Sequence, residues 1–564
     1  MSDSKYFIKN IVFNNGFSVP VSPGDIIVFV GPNNAGKSQS LKDVFNLIGG
    51  SSTGKVVSSV AVEKVIDDNF NQWMASFAKV SCADVKNIQY NFLGADVYSS
   101  WLDSFKSGKS YDKYFRPVFF SFLNTENRLS LVSPPALLNP EEPRSHPIQI
   151  VKDNLATRKK LSDFFHRTFG YELSVSSETK NISLLLGAIH KFDRQGEKEI
   201  DELMDMFKEK QKNMPRLEEQ GDGMRSFTGI LLNLLMPNYS VFLIDEPESF
   251  LHPPQAKILG EILPEMIPMD KEAFIATHSQ DLLKGLIEKA PERIKIIRIT
   301  RDGNTNFVKL LDNNALSESW KDSFMKYSNI LDALFHQSVV LCESDSDCKI
   351  YSMVLDEIMS SKGRTSNTLF IYCEGKRRFP IVAGMLNTLG VDFRIIPDLD
   401  FLNDAELVKS TFEICGGEWD AISSKYNDVK SGVQSLDKKF TLGELKGYIQ
   451  KYIDSKTCPD NEEISKKELE AFKSGLRIPK GWDMVKHGGV GSIPNGNATK
   501  SFHFIDEDFK NKGIFMPHVG ELENFFPSIG GHGPKWVESV IEQYATIPTN
   551  DKSRILGFIS SLNL

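Results

Sequence analysis

The 564-residue sequence predicts a two-domain α/β protein, and three observations carry that expectation. A short apolar run, Asp25-Ile-Ile-Val-Phe-Val, leads into a glycine-rich loop and then a helical pattern with Leu41, Val44, Phe45 and Leu47 at helical spacing. A second apolar run, Val241-Phe-Leu-Ile, ends in the pair Asp245-Glu246. From about residue 330, three strand-like runs alternate with two helical ones, the pattern of a small parallel sheet. The length exceeds one ordinary domain, and 40% hydrophobic with 25% charged residues is the balance of a soluble globular chain.

In chain order, FIKNIVF and NNGFSVPVSPGDIIVFVG alternate as a β-hairpin would, and the last run stops at Gly31. Residues of about 55–215 mix helical and polar segments around the loop-like NPEEPRSHP, and are expected to form a helical arm or insertion on the core. Strand character returns in VFLIDEP, EAFIATHS and RIKIIRIT, closing a first domain at 1–329. The second, 330–564, reads strand (SVVLCES), helix (SDCKIYSMVLDEIM), strand (NTLFIYCEG), helix (FPIVAGMLNTLG) and strand (DFRIIPDLD). Lysine-rich residues of about 405–510 then suggest a helical insertion before a final strand, GIFMPHVGELENFF. No internal repeat or low-complexity tract is present.

The opening MSDSKYFIKN lacks the apolar stretch of a secretory leader, and no run approaches the ~20 apolar residues that cross a bilayer. Cysteines 82, 342, 348, 373, 415 and 458 form no CxxC pair, so reduced thiols in a cytoplasmic protein are expected, with no membrane partner. A net charge of −8 gives no global attraction for nucleic acid. Only the local runs Arg158-Lys159-Lys160 and Lys376-Arg377-Arg378 could hold one, and such runs are commonly solvated faces.

Gly31-Pro-Asn-Asn34-Ala-Gly36-Lys37-Ser38 fits G-x-x-x-x-G-K-[ST] throughout. Gly31, Asn34 and Gly36 belong to the loop whose backbone amides close around the β- and γ-phosphates of ATP, Lys37 adds a point charge, and Ser38 offers a hydroxyl to Mg²⁺. Asp245 would hold that magnesium through water, and Glu246 would orient or activate the attacking water. His278, after the strand EAFIAT, stands where the switch histidine of ABC-type ATPases contacts the γ-phosphate. EEQGDGMRSF stands where the ABC signature would be, with Gly221-Asp222-Gly223 replacing the usual core and Ser226 following. A working signature closes a second subunit's ATP site, so at least a homodimer through the heads is expected.

DEPESFLHPPQ resembles the heads of the RecF/SMC-like ABC ATPases and of the OLD (overcoming lysogenization defect) family, with Glu248, Leu251, His252 and Pro253 matching. TENRL, with Arg128, resembles another segment of these heads, serving nucleotide contact or packing.

In the second domain, Glu343, Asp345 and Asp347 follow one predicted strand, and Asp398 and Asp400 follow another. Carboxylates at the C-terminal ends of parallel strands converge on one sheet edge, where they can hold Mg²⁺ or Mn²⁺ for phosphodiester chemistry. Glu343, Asp347, Asp398 and Asp400 resemble the acidic set of a TOPRIM domain, with Ser344 departing from the usual glycine. An ABC-type head followed by a TOPRIM domain is the architecture of the OLD family nucleases. That resemblance implies metal-dependent DNA cleavage, often in anti-phage defence. It also implies an extra metal-shell carboxylate in GELENFF, Glu523 ahead of Glu521, and a late catalytic lysine, Lys512 or else Lys376. A partner such as a reverse transcriptase with its DNA–RNA product is compatible with it. The competing expectation is an ATP-dependent nucleic-acid clamp of the RecF/SMC type with a non-catalytic docking domain.

Overall fold

The computed structural model describes residues 4–84, 87–108, 111–176, 180–188, 200–311, 330–437, 441–455, 463–476 and 480–564. The chain divides into two compact units, Met1–Phe335 and His336–Leu564. The expected boundary at 329/330 falls at the end of the undescribed stretch 312–329. Among the described residues no helix is long and apolar enough to cross a membrane.

The first unit begins with β1 (Lys5–Phe13) and β2 (Ser18–Pro20), antiparallel to one another, before β3 (Ile26–Val30). All five β3 residues are buried, as a central parallel strand requires. β4 (Val57–Val65) pairs with β1. β5 (Lys79–Asp84), β6 (Asn87–Phe92) and β7 (Ala95–Tyr98) form a separate antiparallel sheet. β8 (Phe120–Leu123) follows, then the hairpin of β9 (Leu173–Ser176) and β10 (Ser183–Leu186). The unit closes with β11 (Val241–Asp245), β12 (Glu272–Ala276), β13 (Ile294–Asp302) and β14 (Thr305–Leu310). The main sheet has the order β14-β13-β3-β12-β11-β8, parallel except for β14.

Residues 55–215 are therefore not simply a helical arm. They contribute β4 to the sheet around β1, and β8 lies in the main sheet with Phe120 opposite Val241. The strand is masked in the sequence because Phe119 ends the helix Asp112–Phe119 and Phe120 starts β8, so one apolar run serves two elements.

The second unit has a parallel sheet of β15 (Ser338–Cys342), β16 (Thr368–Tyr372) and β17 (Asp392–Ile396) in the order β16-β15-β17. The helices Asp345–Ser361 and Phe379–Leu389 connect them. Residues 405–510 supply six described helices, from Ala405–Ile414 to Asn497–Asn511. GIFMPHVGELENFF forms no full strand. Ile514 makes a single parallel bridge to Ile395, with Phe515 N donating to Ile395 O at 2.8 Å, and Pro517 then lacks the N–H to continue. Behind the sheet, Val340, Tyr351 and Val354 pack with Val540, Ile555 and Ile559 of the last two helices.

Candidate functional site

The first unit's parallel strands deliver their C-terminal ends to one edge of the main sheet. β3 ends at the glycine-rich loop, β11 at Asp245-Glu246, and β12 at Thr277-His278. Gly31 (φ 144°) passes so close to β13 that a Cβ would lie 1.9 Å from the Ile299 carbonyl oxygen. Gly36 (φ 106°) and Asn34 (φ 61°) are left-handed, and the helix Lys37–Ile48 begins immediately after. Asn306 of β14 donates to the Ala35 carbonyl at 2.7 Å, fixing the loop from its other side.

Lys37 is buried and donates to the carbonyls of Gly31 (2.7 Å) and Pro32 (2.8 Å). Burial pushes its ammonium down to about 8, against the pull of Glu246, Glu248 and Asp245. Burial raises Asp245, while a hydrogen bond from Ser38 lowers it. Asp245 Oδ1 is buried without a hydrogen-bond partner, and together with the Ser38 hydroxyl it fits a hard cation with oxygen ligands.

Glu246 sits at φ 46°, a costly conformation for a non-glycine, held by its N–H to the Ala276 carbonyl at 2.8 Å. His278 Nε2 lies 3.7 Å from Glu246 Oε1; burial and Lys37 lower the imidazole's pKa. Lys37, Ser38, Glu246 and His278 share a cleft of about 1000 Å³ with Asn14 and Arg301. Arg128 is fully buried and donates to the Asp245 carbonyl at 2.8 Å, so it braces the turn from inside rather than facing the cleft. Gly221 caps the helix Asp222–Leu234; Asp222 is exposed and Ser226 buried.

In the second unit, Glu343 follows β15, and Asp398 and Asp400 follow β17. Each offers a carboxylate oxygen within 4.8 Å of the others. Burial raises Glu343, and its neighbours Asp400 and Asp347 add to it; burial raises Asp398 further, with Lys486 opposing. Glu343 Oε2 and Asp400 Oδ1 are buried and lack hydrogen-bond partners. Converging carboxylates with orphaned oxygens fit Mg²⁺ or Mn²⁺.

Asp347 is engaged differently. Its Oδ2 accepts from Ser344 N (2.8 Å) and Ser344 Oγ (3.0 Å), a reciprocal cap on the helix Asp345–Ser361. It lines the same cleft as Glu343 and Asp398, together with Glu521 and Glu523. Glu521 Oε1 meets His487 Nδ1 at 2.7 Å, and Glu523 lies near enough to Asp347 to raise it.

Lys512 is not with them. It is exposed on a different cleft, lined by Asp392, Phe393 and Arg394 at the start of β17, whereas the carboxylates follow that strand's end. The lysines at the cluster are Lys376, 2.5 Å from Asp400 Oδ2, and Lys486, 3.1 Å from Asp398 Oδ2. Burial alone would lower Lys486, but Asp398 and Asp400 outweigh it and hold the ammonium above its ordinary value. Lys486 comes from the helix Gly481–Gly488 in the inserted region, and KGWDMVKHGG carries no motif that marks it.

A family model described as "AAA domain, putative AbiEii toxin, Type IV TA system" matches residues 100–284. The first unit contains a P-loop ATPase domain. The chain is also 24% identical over 307 residues to the Old nuclease of Escherichia phage P2, across 53% of this chain and 44% of the phage protein, so it matches less than half of that relative's length. Among solved structures, an Smc head bound to the C-terminal winged-helix domain of ScpA is similar over 56% of this chain and all of its own, with 14% identity and a TM-score of 0.34. An SMC head domain from Thermotoga maritima aligns over 55% of this chain and all of its own, with 14% identity and a TM-score of 0.28.

Proposed function

We propose that the chain is an ATP-regulated, divalent-metal-dependent DNA endonuclease of the OLD type, with the second unit as its TOPRIM nuclease. The observation that carries this is the Glu343, Asp398 and Asp400 cluster, with its two orphaned carboxylate oxygens beside Lys376 and Lys486. Similarity to the phage Old nuclease supports the same reading.

Glu343, Asp398 and Asp400 would hold Mg²⁺ or Mn²⁺, with Asp347, Glu521 or Glu523 beyond them. Bound there, a divalent ion supplies Lewis-acid polarisation of a phosphodiester. Lys486 beside Asp398, or Lys376 beside Asp400, would supply the ammonium that offsets charge growing on the phosphate, the role expected of Lys512 or else Lys376. In the ATPase domain, Lys37 and the loop amides bind the nucleotide's phosphates, and Glu246 and His278 orient the attacking water. Gly221–Gly223 would complete a partner head's site in a homodimer. A defence role, and restraint by a partner such as a reverse transcriptase with its DNA–RNA product, belong to this reading.

One observation favours the clamp instead: the ammonium groups of Lys376 and Lys486 themselves partly neutralise the carboxylates. Incubating the protein with supercoiled plasmid and Mg²⁺ or Mn²⁺, with and without ATP, separates the two. The nuclease nicks or cuts, and Asp398→Ala with Asp400→Ala abolishes it. Equal inertness of the wild type and the double variant in every lane favours the clamp.

A further inference from the structure

We infer that the basic turn Lys376–Arg378 is the surface that grips the polynucleotide backbone beside the carboxylate cluster; this rests on the nuclease reading above. β16 is an edge strand, and the turn leaves its C-terminal end, the end at which the cluster gathers. The chain gets there through two left-handed residues, Glu374 (φ 56°) and Gly375 (φ 107°). Gly375 N donates to the Glu343 carbonyl at 3.0 Å, and Cys373 N to the Cys342 carbonyl at 2.9 Å. The turn is thereby fixed to the backbone of a cluster residue.

The three cations immediately precede the helix Phe379–Leu389, at its positive end. Cations there are disfavoured by the helix dipole, and the helix has no acidic residue in its first turn to compensate. They do not serve helix stability. Lys376 is paired with Asp400 and Arg378 with Glu374. Arg377 is exposed and reaches no acidic partner among the described residues. An exposed guanidinium at this position suits a phosphate, which it can engage through two N–H groups at once.

The other flank has the opposite sign. In the cleft running from Glu343 and Asp398 toward the helix Pro534–Gln543, Asp345, Asp347, Glu521, Glu523 and Glu538 outnumber Lys349 and Lys486. A polyanion is repelled from that side and attracted to the turn. The track is thus confined to the β16 flank, and it recognises backbone rather than base sequence.

The test is fluorescence anisotropy of a short labelled DNA duplex in EDTA across a salt series, with wild type, Arg377→Glu and Lys349→Glu. Lys349 makes an equal charge change on the acidic flank, where it pairs with Asp345. Arg377→Glu is expected to weaken binding ~10-fold and to lower the slope of log K against log salt by about 1, while Lys349→Glu does neither. Thermal unfolding of Arg377→Glu checks that it folds, as an exposed side chain should. Unchanged affinity and slope in Arg377→Glu, or equal losses in both variants, overturns the assignment. Mn²⁺-dependent hydrolysis of bis(p-nitrophenyl) phosphate by the wild type reports separately on the nuclease reading, because that substrate has no backbone to grip.

Discussion

Replacing Asp398 by Asn should remove most of the second unit's response to divalent cations while leaving its fold in place. Glu343, Asp398 and Asp400 set three carboxylates against the ammonium groups of Lys376 and Lys486. Fully ionised, these five groups carry one net negative charge, which Asp398→Asn removes along with one ligand. A cation at a hundredfold excess over its Kd stabilises the wild-type fold by about 2.7 kcal/mol. In a domain of this size each kcal/mol moves Tm by roughly 2–4 °C, so Mn²⁺ should raise Tm by roughly 5–11 °C. Changes outside the direct ligands already cost 10–100-fold in metal affinity. A loss of ~100-fold at the same Mn²⁺ leaves about 0.4 kcal/mol, or roughly 1–2 °C. The assay is scanning calorimetry with and without Mn²⁺, read as the increment within each protein. The metal-free Tm is a poor guide, because losing the Lys486 pair and relieving repulsion from Glu343 act in opposite directions. An increment in Asp398→Asn equal to that of the wild type would refute the site.

Glu248 accepts from Thr277 Oγ1 (2.8 Å) and His278 N (2.7 Å), so it ties the Asp245-Glu246 turn to the start of the segment after β12 that carries His278. Glu248→Ala should lower ATPase kcat by ~10–100-fold with ATP affinity kept, and Glu248→Gln, whose Oε1 can accept both bonds, should stay within a few-fold; steady-state kinetics decide. Burial depresses Lys37 to about 8, so its ammonium is present below that pH and lost above it. ATP affinity measured by calorimetry should therefore fall as pH rises through about 8, and Lys37→Met should be weak and flat over the same range. Ser344→Ala removes the cap on the helix Asp345–Ser361 and should cost about 1 kcal/mol in urea unfolding.

The parts legible in the sequence are those whose geometry is local. The glycine-rich loop lies between a strand and a helix adjoining it in sequence, so Gly31–Ser38 could be placed from spacing alone. The second sheet was legible because its strands and helices alternate without interruption. β8 was hidden by the apolar run it shares with a helix, and the last strand shrank to one bridge because Pro517 cannot donate. Lys486 had no local signal, because it reaches the carboxylates from an inserted helix. A charge–charge contact of that sequence separation leaves no periodic trace.

The position of Lys486 is nonetheless tightly determined. A Cβ on Gly520 would lie 2.0 Å from the Lys486 carbonyl oxygen, so the segment ahead of Glu521 packs directly against the end of the lysine's helix. Asn524 donates to the same carbonyl at 3.2 Å, Val490 N donates to the His518 carbonyl at 2.9 Å, and Leu399 N donates to the Gly520 carbonyl at 3.0 Å. One connected stretch of backbone thus fixes Lys486, Glu521 and the residue between Asp398 and Asp400 relative to one another. Displacing the 518–524 segment would move the ammonium and the carboxylates together. Ser344 has a related effect from the opposite side. By committing Asp347 Oδ2 to the helix cap, it leaves the inner position to Glu343, Asp398 and Asp400, the three whose oxygens converge. Serine at position 344 is therefore compatible with the convergence of Glu343, Asp398 and Asp400, since its hydroxyl holds a carboxylate that the central three do not require.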